Sequence, residues 1–175
     1  MKQLKVCLLV FLVLACSKDD AASDLSLDEQ LLGKWTLTNY YSDSYFPDRS
    51  EGRIEKIVPE ETDYAIEFTD DQNKIVLSGF LRYSFEGYEI VDGEKEITYQ
   101  ATNFMDAEQG EGYHTGEWKI ENGLLICTDV SSQEGEVYST TSSIKLSGDT
   151  LVLTLDNSQF GIHQTGETIV EYIRE

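Results

Sequence analysis

The chain is poor in cysteine and proline, and each shortage excludes a class of protein. Its 175 residues include three cysteines, and two of them, Cys7 and Cys16, lie within the first sixteen positions. Because Cys127 is alone in the rest of the chain, a disulfide framework cannot form. Two prolines and thirteen glycines predict no long flexible region in the body of the protein. The length is enough for one domain that buries its own hydrophobic core.

Basic residues are also scarce. Thirteen of them stand against 33 acidic residues, which gives a formal net charge of −20. A surface this acidic repels phosphate backbones, so we expect no nucleic-acid partner and no charge-driven adhesion to anionic lipid headgroups. It favours solubility, cationic partners or loosely held divalent cations, and a solvated acidic surface without a specific partner also accounts for it.

The apolar run at the start of the chain has the length of a secretory signal. Lys2 and Lys5 are followed by the nine apolar residues 6–14, whereas a membrane-spanning helix needs about 20. Nine residues match the hydrophobic region of a signal peptide, and Ala15 supplies the small residue next to the cut. Residues 1–15 are therefore predicted to be a leader that is removed.

Two short motifs at the end of this leader resemble those of bacterial lipoproteins. Val13-Leu14-Ala15-Cys16 resembles a lipobox, which implies that Cys16 carries the lipid anchor; an ordinary signal with a chance cysteine is the alternative. Ser17-Lys18-Asp19-Asp20 resembles the surface-export signal of Bacteroidetes lipoproteins, and a solvated spacer is the alternative. The resemblance implies an outer-membrane lipoprotein on the cell surface of a Gram-negative bacterium, attached to the membrane through its lipid alone.

Behind the anchor we predict a tether at 16–25 and one domain at 26–175. Ser26 and Glu29 form a Ser-x-x-Glu capping box for one short helix. From Lys34 onward, strand-forming segments alternate with turn signals, and Gly79 predicts a bend or bulge. Trp35, Leu37 and Asn39 are predicted to share one face of the first strand. The predicted strands are, in order, KWTLTNYY, DYAIEF, KIVLSGFLRYSF, GYEIV, EKEITYQAT, YHTGEWKI, LLICTDV, EVYSTTSSIKL, TLVLTLD and ETIVEYIRE.

These segments predict an all-β fold. Roughly nine or ten strands joined by short turns, without crossover helices, form an antiparallel up-and-down meander. We expect it to close into a β-barrel of about 8–10 strands after the N-terminal helix, because closure removes exposed edges. A sandwich remains the alternative. The longest connection is predicted at about 42–59, between the first two strands.

The predicted domain resembles the lipocalin-like domains of Bacteroidetes lipoproteins from about residue 27 to the C-terminus. Gly33-Lys34-Trp35 after a capped helix is similar to the Gly-x-Trp signature of lipocalins, and GEWKIENGLLI and SSIKLSGDTLVLTL are similar to the second half of these domains. The resemblance implies that Arg174 packs across Trp35 and closes the barrel base, a contact worth roughly 0.5–2 kcal/mol. A solvated terminal arginine is the alternative. The disulfide of classical lipocalins cannot form, so we expect Cys127 to be a small buried hydrophobe.

The sequence offers no catalytic constellation, and we predict a non-enzymatic protein without cofactor or metal. His114 and His163 lie far apart, and no nucleophile elbow, zinc motif or phosphate loop occurs. Asp70, Asp71 and Asn73 lack the spacing of a calcium loop, and turn formation accounts for them.

Aromatic residues carry the functional prediction, which is a small, partly apolar ligand. Such rings suit apolar molecules with a few polar groups. The alternative is that the rings fill the barrel, since eight strands enclose just enough room to fill or to hold one small ligand. The protein is then an interaction module that contacts a protein or glycan through its loops. The candidate ligand residues are Tyr41, Tyr45 and Phe46 near the long connection, and Tyr64, Leu81, Tyr83 and Tyr99 on the strands.

The lipid anchor predicts the behaviour of two cysteine variants. In Cys16→Ala we expect incorporation of labelled palmitate to fall to background, because the acceptor thiol is gone. Cys7→Ala is the matched control: Cys7 belongs to the predicted leader, so incorporation stays at the level of the unaltered chain. Incorporation that survives Cys16→Ala contradicts the anchor, and full resistance to protease on intact cells contradicts the outward orientation.

Overall fold

The computed structural model describes residues 25–46, 53–130, 136–161 and 164–175, so the leader, Cys16 and His163 lie outside the described residues. The described chain holds one helix, α1, eleven strands and two short 3-10 turns. The elements are α1 (Leu27–Leu31), β1 (Gly33–Phe46), β2 (Arg53–Thr62), β3 (Ala65–Phe68), β4 (Ile75–Ser78), β5 (Phe80–Val91), β6 (Glu94–Asp106), the first 3-10 turn (Ala107–Gln109), β7 (Glu117–Glu121), β8 (Leu124–Val130), β9 (Val137–Ser147), β10 (Thr150–Asp156), the second 3-10 turn (Asn157–Phe160) and β11 (Thr165–Arg174).

These strands form one antiparallel sheet that is nearly closed into a barrel. The strand order is β6-β5-β2-β1-β11-β10-β9-β8-β7, while β3 pairs with β1 and β4. A bridge between Lys74 and Glu117 joins the start of β4 to β7: the Ile75 N–H donates to the Gly116 carbonyl at 2.9 Å. Eight strands, β1, β3, β4 and β7 to β11, thus surround the core as a ring. The prediction of an all-β antiparallel barrel is confirmed.

Strands β2, β5 and β6 leave this ring and continue as a three-stranded extension. The departure lies at Gly79, which separates β4 from β5 and has a φ of +77°. A Cβ there would lie 2.4 Å from the Asp63 carbonyl oxygen, so only glycine fits. Asp63 and Phe80 also exchange hydrogen bonds across the break, with the Phe80 N–H donating to Asp63 Oδ1 at 2.6 Å. The bend predicted at Gly79 is therefore confirmed.

Three predicted boundaries are wrong. The region 42–59 is not a long connection, because β1 continues to Phe46 and β2 begins at Arg53. Ser42 and Ser44 resemble loop residues, yet both are buried on the inner face, which is polar at this end of the barrel. The second boundary concerns YHTGEWKI, where the strand begins only at Glu117. The third concerns GYEIV, which is not a separate strand, because β5 runs from Phe80 to Val91.

A β-bulge divides β1 and changes which residues face inward. The register with β11 shifts between Leu37 and Asn39. Trp35 and Leu37 are buried before the bulge and Tyr40 after it, whereas Asn39 is exposed. The prediction that Asn39 shares the inner face is wrong, because the extra residue of a bulge reverses the alternation of side chains.

Helix α1 and the last strand close the base of the barrel. The carboxylate of Glu29 accepts the Ser26 N–H at 2.8 Å, as the capping box predicted. Trp35 is fully buried and donates from Nε1 to the Leu31 carbonyl at 2.7 Å. The guanidinium carbon of Arg174 lies 4.2 Å from the Trp35 ring centroid, and Nη1 donates to the Leu32 carbonyl at 2.8 Å. Arg174 thus joins α1 to the ring at its base.

The interior of the ring is filled with side chains. Between residues such as Leu37, Tyr64 and Tyr172 it leaves a cavity of about 10 Å³, room for about one water molecule. Cys127 is buried in the same core, and burial raises the pKa of its thiol to about 12. The buried apolar residues are Leu31, Trp35, Leu37, Tyr40, Tyr64, Ala65, Ile66, Phe68, Ile75, Leu81, Ala107, Trp118, Leu125, Cys127, Leu151, Leu153, Leu155, Val170 and Tyr172.

Removing the Arg174 guanidinium should destabilise the base. In Arg174→Met, which keeps an aliphatic stem, we expect the free energy of unfolding to fall by about 2 kcal/mol, because the cation–π contact and two hydrogen bonds to carbonyls are lost. Arg82→Met is the matched control, since its exposed guanidinium has only a 3.7 Å ion pair with Glu61 and should cost under about 1 kcal/mol. Chemical denaturation measures both, and equal values contradict the closing contact.

Candidate functional site

A continuous series of six aromatic rings runs from the core to the surface; we call it the aromatic row. Neighbouring ring centroids lie 5.4 to 6.4 Å apart, within the range of direct aromatic contact. The rings come from three strands, the connection between β6 and β7, and the second 3-10 turn. In order, the row consists of Tyr99, Phe85, Tyr83, Tyr40, Tyr113 and Phe160.

Strand alternation and one glycine bring the first three rings together. Tyr83 and Phe85 are two positions apart on β5, so they share the inner face. Tyr99 lies opposite Gly87 in the β5–β6 pairing. A Cβ at position 87 would lie 1.8 Å from Tyr99 Cε1, so the ring occupies the space that a side chain would need. The absence of a side chain at Gly87 therefore allows Tyr99 to contact Phe85.

The row is buried in its middle and open towards its ends. Tyr40 is 2% exposed and Phe160 41% exposed, while the remaining rings are partly buried. The hydroxyls of Tyr40 and Tyr113 share a hydrogen bond of 2.6 Å. Burial raises the pKa of Tyr40, Tyr83 and Tyr113, so these hydroxyls stay protonated at neutral pH. They can donate hydrogen bonds to a ligand only where the ring reaches the surface, as Tyr83 does.

The connection 107–116 crosses the barrel and holds Tyr113 in the row. Tyr64 donates from its hydroxyl to the Glu111 carbonyl at 3.1 Å, and Thr140 Oγ1 donates to the Tyr113 carbonyl at 2.7 Å. His114, on the same connection, lies 2.8 Å from Ser142 Oγ through Nε2. These contacts tie the connection to β9 and to the segment between β2 and β3, so the connection is part of the packed interior.

His114 is a buried residue of this interior. It is 2% exposed, and burial lowers its pKa to about 4. The imidazole is therefore neutral at pH 7, and its contact with Ser142 satisfies a ring nitrogen. Because its imidazole is buried, His114 does not reach a molecule bound at the surface.

A buried polar cluster closes the end of the barrel away from α1. Asn157 is its centre: Nδ2 donates to Ser44 Oγ at 3.0 Å, and Oδ1 accepts from Thr168 Oγ1 at 2.7 Å. Ser42 Oγ lies 2.7 Å from Thr168 Oγ1, and Gln164 Nε2 donates to Ser44 Oγ at 2.9 Å. The cluster satisfies its own hydrogen bonds, so it fastens the second 3-10 turn to β1 and β11 as a closed cap.

Four of the seven predicted ligand residues lie on the inner side of the sheet. Tyr83 and Tyr99 belong to the aromatic row, and Tyr64 and Leu81 are buried beside the 10 Å³ cavity. Phe46, on β1, is partly buried at the end of that strand.

Tyr41 and Tyr45 lie apart from these residues, on the outer face of β1. They line a shallow depression of about 430 Å³, and the Tyr41 hydroxyl donates to Asp43 Oδ2 at 3.0 Å. The β1 bulge causes this outward position, because it directs the Tyr40 side chain inward and that of its neighbour Tyr41 outward.

Sequence reasoning missed three members of the row, Phe85, Tyr113 and Phe160, as site residues, and it named the fourth, Tyr40, only as part of the aromatic cluster that precedes the predicted long connection. Phe85 has the alternation of Tyr83, and Tyr40 belongs to the aromatic cluster of β1, so both had a detectable signal. Tyr113 and Phe160 lie outside the strands, where no periodic pattern marks an inward position.

Comparisons with known proteins give no guide to the function, so its interpretation rests on the residues described above. No protein-family model, no curated protein and no solved structure matched the chain. In the described ranges, no group of three or more His, Cys, Asp or Glu side chains is placed to hold a metal ion. No helix of the described chain has the length and apolar character needed to cross a membrane. The aromatic row is thus the arrangement with the clearest chemical use, which is contact with an apolar surface.

Burial of neutral His114 predicts a pH-dependent stability that one substitution removes. Its pKa falls from an ordinary value of 6.5 to about 4 on folding. Between these values the unfolded chain binds the extra proton, so the folded state loses stability as pH falls from 6.5 to 4. Against His114→Gln, we expect this component to amount to about 3 kcal/mol. Denaturation at several pH values measures it, and a difference that is constant with pH contradicts the neutral buried state.

Proposed function

We propose that the chain is a non-catalytic binding protein of the lipocalin-like type, anchored by lipid at Cys16 and displayed on the outer-membrane surface. Its ligand is a small, partly apolar molecule that lies against the aromatic row. The observation that carries the proposal is the row itself, whose rings begin in the core and reach the surface. The leader and the lipobox-like motif support the anchor from sequence alone.

The proposed ligand lies beside the ring of strands, over the three-stranded extension. The ring interior leaves a cavity of about 10 Å³, which is far below the volume of roughly 300 Å³ or more of small-molecule pockets. Tyr83, Phe85 and Tyr99 are partly buried and face the inner side of the extension. This inner face offers apolar surface that is not buried in the packed core.

The rings of the proposed site are held in place before any ligand binds. Tyr83 contacts the buried ring of Tyr40 edge to face, at 5.9 Å between centroids, and Tyr99 contacts Phe85 at 5.6 Å in the same geometry. Rings fixed in this way lose little conformational entropy on binding. Preorganisation supports selective binding of a rigid, flat or ring-bearing ligand.

Charge around the row narrows the ligand class. Burial is the main cause of the raised pKa of Tyr83, and the Glu111 carboxylate raises that pKa further, which indicates a negative field at this ring. Only 13 basic residues oppose 33 acidic ones over the whole chain. Neutral or cationic ligands therefore suit the site better than anionic ones.

A neutral solvatochromic dye, Nile red, tests the site. We expect its fluorescence to rise on binding to the full chain, and Phe85→Ala and Tyr99→Ala to weaken that binding about tenfold each, because each removes a contacting ring. Tyr88→Ala and Phe104→Ala are matched controls on the same two strands, since their rings lie on the outer face. Controls that lose as much affinity as the test variants contradict the proposed site.

The same variants separate the proposal from the filled-barrel interaction module. The small cavity is compatible with both functions, because neither of them places a ligand inside the ring. Native mass spectrometry of protein from its own host supplies the second measurement. A small molecule that accompanies the unaltered chain and is lost in Tyr99→Ala supports ligand binding, whereas no adduct and no dye binding support the module.

A further inference from the structure

Strand β6 has an open side. In the described part of the chain it pairs with β5 alone, and most of its residues are exposed. Edge strands present unpaired N–H and C=O groups, and proteins usually protect them with charged residues or proline. The stretch ITYQATNFM, residues 97–105, has neither, although 26% of the chain is charged. The middle of β6 is thus an unprotected edge.

The free N–H groups of this edge can be assigned from the pairing with β5. The N–H of Phe104 is accepted by Asn103 Oδ1 at 2.9 Å, so it points away from β5. Antiparallel pairing alternates the direction of successive N–H groups. Those of Gln100 and Thr102 therefore point outward as well, and β6 offers a short ladder of backbone donors.

Acidic side chains flank the uncharged stretch at both ends. Glu94 and Glu96 precede it, and Asp106 and Glu108 follow it. The nearby basic side chains already have acidic partners, because Arg82 pairs with Glu61 and Lys95 with Glu86. A complementary strand has an uncharged centre and basic residues at its two ends.

Apolar side chains on the edge provide contacts for such a strand. Ile97 and Phe104 are 52% and 51% exposed, so their side chains are accessible to a partner. A strand added to β6 places alternate side chains beside them. The distance from Glu96 to Asp106 is about 33 Å at 3.3 Å per residue, so the strand has about ten residues.

We propose that the β6 edge binds an extended, cationic segment of a partner protein as an added strand of the sheet. This site goes beyond the proposed ligand site and does not depend on it, since it uses backbone groups and the rim of β6. A second copy of the chain is a poorer occupant. Antiparallel pairing of two β6 strands about Gln100 sets Glu94 of each copy opposite Asp106 of the other, between two acidic molecules.

A synthetic peptide tests the edge directly. The probe has six alternating valine and threonine residues with two lysines at each end, and it carries a fluorophore for anisotropy measurements with the full chain. We expect saturable binding that weakens as salt rises. The control peptide has the same charge but proline at alternate central positions, which removes its ladder donors. Equal binding of both peptides, or no binding of the first, overturns the proposal.

Two variants place the peptide on β6. Thr102→Pro removes an outward N–H and leaves the β5 ladder intact, and we expect peptide affinity to fall about tenfold. Glu96→Gln with Glu108→Gln should weaken binding about threefold. The charge-matched control is Glu67→Gln with Glu117→Gln, at exposed positions in the ring of eight strands. Peptide affinity that is unchanged in both test variants overturns the assignment to β6.

Further measurements distinguish the two proposed sites. They also distinguish a segment of a partner protein from a second copy of the chain as the occupant of the β6 edge. Nile red binding should persist in Thr102→Pro, because Thr102 lies outside the aromatic row, and far-UV circular dichroism checks that this variant folds. Light scattering reports the oligomeric state. A dimer of the unaltered chain that dissociates in Thr102→Pro assigns the edge to a second copy and overturns the proposal, whereas a monomer in both supports it.

Discussion

The pairing of β1 with β11 is the constraint on which the rest of the structure depends. It runs from Trp35 opposite Arg174 to Tyr45 opposite Thr165 and joins the first strand of the sheet to the last. On its other side β1 pairs with both β2 and β3, so one strand borders the ring and the extension alike. The bulge after Leu37 then decides which side chains of β1 enter the core. A straight β1 would direct Tyr40 to solvent and leave the aromatic row without its middle member.

The sequence predicted the parts of the fold that have local causes. The capping box at Ser26 and the bend at Gly79 each follow from residues within a few positions. The bulge in β1 has no such local cause, since the extra residue is defined only by the strand opposite. Thr38 Oγ1 donates to the Glu171 carbonyl at 3.1 Å there, a contact between residues 133 positions apart. Sequence reasoning therefore grouped Tyr41 and Tyr45 with Tyr83 and Tyr99 as candidate ligand residues, whereas β1 continues through both tyrosines and directs them to its outer face.

A second group of wrong sequence-based predictions concerns polar residues that lie inside the barrel. Ser42 and Ser44 are typical loop residues, but Asn157 and Thr168 give them buried hydrogen-bond partners from the far end of the chain. Tyr113 joins the aromatic row from an irregular connection that is hydrogen-bonded to a neighbouring strand. The β5–β6 pair, by contrast, leaves the ring at Gly79 with aromatic rings on one face, and that face follows from alternation along two long strands. The predictable part of the site is accordingly the part carried by β5 and β6.

The base of the barrel has a consequence for how the chain folds. Arg174 completes the surroundings of Trp35 and caps the carbonyl of Leu32, which lies 142 positions earlier. During synthesis the amino-terminal strand is therefore finished long before its partner exists, and its indole has no cover. Closure of such a distant contact costs loop entropy, which is offset only when β11 pairs with β1. The base of the barrel therefore stays incomplete until the last strand of the sheet is in place, whichever hairpins form before it.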